Sequence, residues 1–426
     1  MKGLIYSISG FFALALLFLS CGSLRMAYNQ DLSDMYKPQA VALHPELQVY
    51  HTSETVSDIY YSLDSKELLY SKQTDSPDFT SVVFITYQLT PSYESKVILD
   101  SGTVKLIDVN RDNTRKFVRG KFSVKTPSVS NYLLRVTFHD VRRAQEFDRF
   151  IELYKSNPGS PQYYFVSKEP GVPLFKTFVA GNEKVMINYR RTSKGKLFVK
   201  YFKREYPVAT PPFSTLEART FGYKADSLFI LPLNDSGSVF FQPFKPGIYN
   251  FSADSNGREG LTLYRFQEGF PDINRADQMI NPLRYITSKE EFDVISKSKN
   301  KRQAVENFWI NCAGSKEKGR EMIRKYYNRV HEANRFFSSY LEGWKTDRGM
   351  IYMIFGPPNV VNRATDSETW VYGEDSNVNA LTFNFDRMAN PFSDNDYCLQ
   401  RSDVYKNNWF REVDDVWRQG RTYLQN

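Results

Sequence analysis

Six consecutive apolar or aromatic residues, Met350-Ile351-Tyr352-Met353-Ile354-Phe355, lie between a polar turn, Gly343-Trp344-Lys345-Thr346-Asp347-Arg348-Gly349, and a hard stop, Gly356-Pro357-Pro358. A run with no polar face has to be covered on every side, so the rest of the chain must build a core around it. Ile351, Tyr352, Ile354 and Phe355 favour a strand. Thr346 as an N-cap, Asp347 in a first turn and Gly356 ahead of two prolines favour a helix over 347–355, and the caps decide for the helix. In that arrangement Thr346 and Asp347 satisfy backbone donors at the helix start, Arg348 pairs with a carboxylate and Trp344 anchors the packing.

The residues upstream prepare for such a core. Ser288-Lys289-Glu290-Glu291 has the form of a capping box and predicts a helix through Ile295. Arg302 to Cys312 places Val305, Phe308 and Trp309 on one face. From Ser315 onward Ile323, Tyr327, Val330, Asn334 and Phe337 recur at helical spacing. Beyond Pro358, Glu368–Tyr372 and Ala380–Phe385 read as a hairpin around Glu374–Asn377. Tyr405, Trp409, Val413 and Trp417 form an apolar face on the tail that docks on that sheet. Residues 270–426 are therefore expected to form an α+β unit.

Before residue 270 the pattern is of strands. Val82–Leu89, Lys121–Val124 and Tyr132–Phe138 alternate between turn-forming clusters, and no helical period intervenes. Residues 46–156 are thus expected to be a β-sandwich, closed by the Asn157-Pro158-Gly159-Ser160-Pro161 boundary. Residues 162–267 read as a second sandwich, with strands at Lys196–Phe202, Ser227–Leu231, Gly237–Phe241 and Gly247–Phe251. Tyr249 following Pro246-Gly247 is a turn-then-strand signal, and Pro207–Pro212 reads as an exposed loop. The two units share a layout without a residue-level repeat. The fold class is multidomain: two immunoglobulin-like β-sandwiches followed by an α+β domain. Aromatics at 15% of the chain, 28 Tyr and 33 Phe, suit sheets.

Met1-Lys2 and the apolar run Leu4–Leu19 resemble a signal peptide over residues 1–20, too short to span a membrane comfortably. Leu17-Phe18-Leu19-Ser20-Cys21-Gly22 resembles a bacterial lipobox, which implies acylation of Cys21 and a lipid anchor. The polar stretch to residue 45 reads as the acylated tether, 21–45. Surface lipoproteins of Bacteroidota resemble one another in carrying acidic residues directly after the cysteine; Gly22-Ser23-Leu24-Arg25-Met26 has none, which by that comparison implies a body facing the periplasm from the outer membrane.

Gly343-Trp344-Lys345-Thr346-Asp347 resembles the signature of the GWxTD domain of envelope proteins of Bacteroidota. Pro282–Ile286, Asn307-Phe308-Trp309, Tyr326–Val330 and Ala333-Asn334 extend that resemblance in the same order. It implies an envelope lipoprotein with the corner residues Trp344, Thr346, Asp347, Arg348, Gly356, Pro357 and Pro358 as its motif. No activity comes with it.

Chemistry is sparse in the sequence. The four histidines, His44, His51, His139 and His331, have no metal-ligand neighbour at useful spacing, and no HExxH, CxxC or nucleophile elbow occurs. No catalytic, cofactor-binding or metal-binding residue is assigned. Gly314–Arg320 is a helix start and not a phosphate loop. His331, Glu332 and Asp347 form the one acid/base grouping worth locating. Cys312 and Cys398 are either a disulfide, closing a loop of about 85 residues worth roughly 4 kcal/mol, or two free thiols. The net charge of +8 falls to +7 when Lys2 leaves with the signal. With 48 acids interspersed, this describes a solvated surface and no nucleic-acid module. The expected function is a non-enzymatic component of an envelope complex for secretion, outer-membrane assembly or gliding, whose sandwiches hold the last domain away from the membrane. The alternative is a protein that binds or hydrolyses glycan or peptidoglycan.

Overall fold

A computed structural model describes residues 30–72, 78–112, 114–189, 191, 195–203, 206–215, 223–373 and 380–420. The signal, Cys21 and the turn at Glu374–Asn377 lie outside these residues. No described helix is long and apolar enough to cross a membrane.

The first unit contains β1 (Glu46–His51), β2 (Val56–Asp64), β3 (Ser71–Lys72), β4 (Phe79–Thr90), β5 (Asp100–Asn110), β6 (Phe117–Lys125), β7 (Asn131–Asp140) and β8 (Gln145–Tyr154). One sheet is ordered β1-β2-β6. The other is β5-β4-β7-β8, with the short β3 also on β4. Alternate residues of each strand, such as Val83 and Ile85 of β4 or Leu134, Val136 and Phe138 of β7, meet between the sheets.

The second unit contains β9 (Phe165–Glu169), β10 (Val172–Pro173), β11 (Val185–Asn188), β12 (Lys196–Phe202), β13 (Ser227–Pro232), β14 (Ser238–Phe241), β15 (Gly247–Ser252) and β16 (Leu261–Arg265). Its sheets are β10-β9-β11-β14 and β13-β12-β15-β16. With the two short strands β3 and β10 set aside, the two units have the same strand order. They also share one detail at the sixth strand of that order. Tyr132 of β7 donates its hydroxyl to Ser128 O at 3.0 Å and accepts from Ser128 N, while Tyr249 of β15 does the same with Lys245, at 2.7 and 2.8 Å. This is the tyrosine corner of immunoglobulin-like sandwiches. The two units are therefore repeats in structure, although their residues do not align as repeats.

The third unit has α1 (Ala276–Ile280), α2 (Lys289–Lys297), α3 (Lys301–Ala313), α4 (Lys316–Phe337) and α5 (Asp347–Phe355). It then forms an antiparallel sheet, β17 (Val360–Arg363), β18 (Ser367–Tyr372), β19 (Leu381–Arg387) and β20 (Tyr397–Leu399), and ends in α6 (Lys406–Arg411), which widens into a π-type segment over Glu412–Arg418. Ser288 and Glu291 cap α2 reciprocally, Gly314 closes α3 at φ +74°, and Ser315 caps α4. The tail does more than cover the sheet. Tyr405 stacks on Phe383 of β19 at 4.7 Å, but Trp417 packs on Tyr326 and Trp309 of the helices, at 5.0 and 6.3 Å.

Two sequence expectations need correction, and one open alternative is decided. Residues 31–36 are not free tether: Leu32 and Tyr36 belong to the core of the third unit, and Leu32 N donates to Val361 O of β17 at 2.8 Å. Leu32 and Tyr36 are the only fully buried apolar side chains between residues 31 and 36, too few to leave a periodic signal in a polar stretch. The Pro207–Pro212 loop is not exposed throughout, since Ala209 is buried and its N–H donates to Lys345 O at 2.9 Å. Cys312 and Cys398 form no disulfide. Both thiols are free and half-buried, one on α3 near Arg418 and the other on β20 near Asp347 and Arg401.

The units interlock. Phe202, Ile248 and Tyr264 of the second sandwich pack on Tyr340, Leu341 and Phe392 of the third unit. Arg387 of β19 reaches Glu152 of β8 at 2.9 Å.

Candidate functional site

All nine residues of α5 are buried. A helix in that position has no water for its terminal N–H and C=O groups, so other residues must meet them. At its start, Thr346 accepts from Gly349 N at 3.1 Å and donates to Gly343 O at 2.7 Å. At its end, Arg329 of α4 donates to Met353 O and Ile354 O at 3.0 and 2.8 Å. Trp417 Nε1 reaches Ile354 O at 3.0 Å, and the Tyr372 hydroxyl reaches Gly356 O at 2.8 Å.

Each residue of the corner has a mechanical cause. A Cβ on Gly343 would stand 1.8 Å from Ala333 O, so only glycine lets the turn lie against α4. Gly349 is under the same constraint, 1.8 Å from Gly343 O. Asn334 of α4 holds the turn by accepting from Trp344 N at 3.3 Å, and the Trp344 ring meets Tyr285 edge to face at 6.3 Å. Gly356 has φ +87° and touches the Arg329 guanidinium where a side chain would stand. Pro358 is buried behind it and Pro357 is exposed.

The two charged residues of the motif point inward as well. Arg348 is 1% exposed and lies over the Tyr397 ring at 3.9 Å. It donates to Glu368 Oε2 at 3.2 Å and to both oxygens of Asn395. Glu368, also fully buried, accepts from Arg363 at 2.6 Å, Trp370 Nε1 at 2.6 Å and the Tyr36 hydroxyl at 2.8 Å. Burial would raise its pKa, but Arg363 and Arg348 outweigh that and hold it at about 2. Asp347 departs from the role expected of it. Instead of serving its own helix, it accepts from Leu399 N of β20 at 2.9 Å and takes Arg401 at 2.6 Å. Arg401 in turn donates to Thr210 of the second unit's loop, so Asp347 ties three segments together.

The acid/base grouping does not assemble. His331 Nδ1 lies 2.6 Å from Asp272, Glu332 accepts from the Tyr352 hydroxyl at 2.8 Å, and Asp347 is committed to Arg401. Among the described residues no group of three His, Cys, Asp or Glu is placed to hold a metal ion. Burial pushes the Cys312 thiol up to about 11, away from a reactive thiolate.

Sequence reasoning missed the partners: Tyr36, Arg329, Arg363, Glu368, Asn395 and Arg401. One of them had a signal. Strand alternation puts Glu368 on the same face as Trp370, and a glutamate beside a buried tryptophan requires a buried cation.

No match occurs among curated proteins. Residues 247–419 match the GWxTD domain family. The match begins at β15, inside the second sandwich, where Ile248 and Tyr264 carry the contact with Tyr340 and Phe392. The corner from Gly343 to Asp347, the helix it starts and the sheet that covers it are thus the centre of a GWxTD domain, and the chain is a GWxTD-domain-containing protein.

Proposed function

We propose that this chain is an outer-membrane lipoprotein, acylated at Cys21 and facing the periplasm, that serves as a structural and interaction component of an envelope complex of the kind that secretes proteins, assembles the outer membrane or drives gliding. The observation that carries this reading is the strap at residues 31–36, whose Leu32 and Tyr36 lie in the GWxTD core. Nine residues lie between Cys21 and Asp31, ten Cα steps with a fully extended reach of roughly 35 Å. An acylated Cys21 therefore keeps the GWxTD domain close to the membrane and leaves the sandwiches to project from it. This reverses an arrangement in which the sandwiches are the spacer.

The inward-facing corner supports a scaffold role, because its hydroxyl, carboxylate and guanidinium are committed to holding the domain together. Multiple acyl chains give stable anchoring, and the formal charge of +7 left after loss of Lys2 favours an anionic surface nearby.

The test is metabolic labelling with an acyl-chain analogue, followed by affinity purification of the tagged protein from membranes. Label on the native chain but not on Cys21→Ala, together with stoichiometric recovery of envelope proteins, is the expected result. Absence of label sinks the anchor. A solitary protein that turns over murein sinks the scaffold role.

A further inference from the structure

A cavity of about 400 Å³ lies where the three units meet, walled by β1, β8, the linker, β9, β16 and the loop between β19 and β20. Domain junctions are a common place for small-molecule sites, and the volume falls in their range. Three properties of the walls define what would fit.

The first is aromatic surface. Tyr50, Tyr154 and Phe165 line the cavity, and Tyr50 and Phe165 brace each other edge to face at 5.3 Å. The second is a carboxylate held in no ion pair. Asp394 lines the cavity and is exposed to it; Arg387 donates to its backbone carbonyl at 3.2 Å, but among the described residues its carboxylate lies in no ion pair within 4.0 Å. Its neighbour Arg387 is taken by Glu152 at 2.9 Å, and the Tyr154 hydroxyl donates to that same Glu152 at 2.7 Å. Lys176 on the wall pairs with Glu183 at 3.5 Å, with its ammonium over Phe178. Glu259, exposed on the rim, adds a second carboxylate.

The third is a set of uncharged polar side chains, with Ser160, Asn390 and Ser393 on the wall beside Thr262. Thr262 lines the cavity and accepts from Asn250 Nδ2 at 3.2 Å. A complementary ligand brings positive charge and hydroxyl groups that can donate and accept, and offers an apolar face to the rings.

We propose that the junction cavity binds an amino sugar, with its ammonium against Asp394, a ring face on the aromatic wall and its hydroxyls on the amide and hydroxyl side chains around it. The ligand spans all three units and fixes their relative positions.

The probes are the β-1,4-linked disaccharide of glucosamine, the neutral cellobiose of the same shape, and cyclohexylamine, which has the amine without the hydroxyls. Calorimetric titration of the full chain in detergent is expected to show the amino disaccharide binding at least roughly tenfold more tightly than either control. Asp394→Asn is expected to remove that preference and leave cellobiose unchanged. No binding of the amino disaccharide, equal binding of cellobiose or cyclohexylamine, or an unaltered preference in Asp394→Asn overturns the proposal. Should that variant not fold, salt dependence in the unaltered chain decides. Binding that weakens as salt rises supports the ion pair, and binding indifferent to salt refutes it.

Discussion

Replacing Glu368 by Gln keeps the shape of the side chain and an acceptor for Trp370, but removes the one negative charge between Arg348 and Arg363. A carboxyl held at about 2, against 4.5 in an unstructured chain, contributes roughly 3 kcal/mol at neutral pH. Leaving buried cations without their partner costs about 3–5 kcal/mol by the usual experience with buried pairs. Both routes predict a loss of roughly 3–5 kcal/mol. The assay is selective, because all five tryptophans, from Trp309 to Trp417, lie inside the GWxTD domain. Urea unfolding followed by tryptophan fluorescence therefore reports on this domain and not on the sandwiches. The pH dependence has a defined sign: a depressed folded-state pKa gives stability that is present above about 4.5 and is lost as pH falls toward 2. Glu368→Gln should lack that component. A loss under about 1 kcal/mol at pH 7, or an unchanged acid slope, refutes the view that Glu368 is the charged centre of this core.

Tyr36→Ala should lower the same fluorescence-detected transition by about 3–5 kcal/mol, because it empties a core position and takes a donor from Glu368; an unaffected transition would mean that the strap is dispensable. Gly343→Ala should cost more than about 2 kcal/mol, since the new methyl group meets a helix carbonyl that cannot yield without moving α4, and a chain of native stability would contradict that close approach. Asp347→Ala should lower the melting temperature by several degrees, because Arg401 and Leu399 N lose their acceptor; an unchanged melting temperature with a lost binding partner would show that the corner works at the surface.

Local signals carried the helices. Ser288, Thr346 and Ser315 act through the two or three residues that follow them, so the starts of α2, α5 and α4 could be read from the sequence. Strands such as β12 were legible for the same reason, with burial alternating along it. The partners of the corner were not, because Arg348 meets a glutamate and Asp347 an arginine contributed by later strands and loops. No local pattern encodes which of many carboxylates a given arginine meets. The strap was the hardest to see, since Tyr36 is 332 residues from Glu368. The structural repeat of the sandwiches was hidden for a different reason. What is repeated is strand order and a tyrosine bonded back to a turn, and neither leaves an aligned run of identical residues.

The strap also bears on the order in which the chain can be completed. Synthesis delivers residues 31–36 early and β18 more than three hundred residues later, so Tyr36 must wait while two whole sandwiches are made. Seen this way, those sandwiches are a long insertion within one domain whose opening and closing segments lie at opposite ends of the polypeptide. The GWxTD core can therefore close only once nearly all of the protein has been delivered, so a truncated or stalled chain would keep an unfinished and recognisable core.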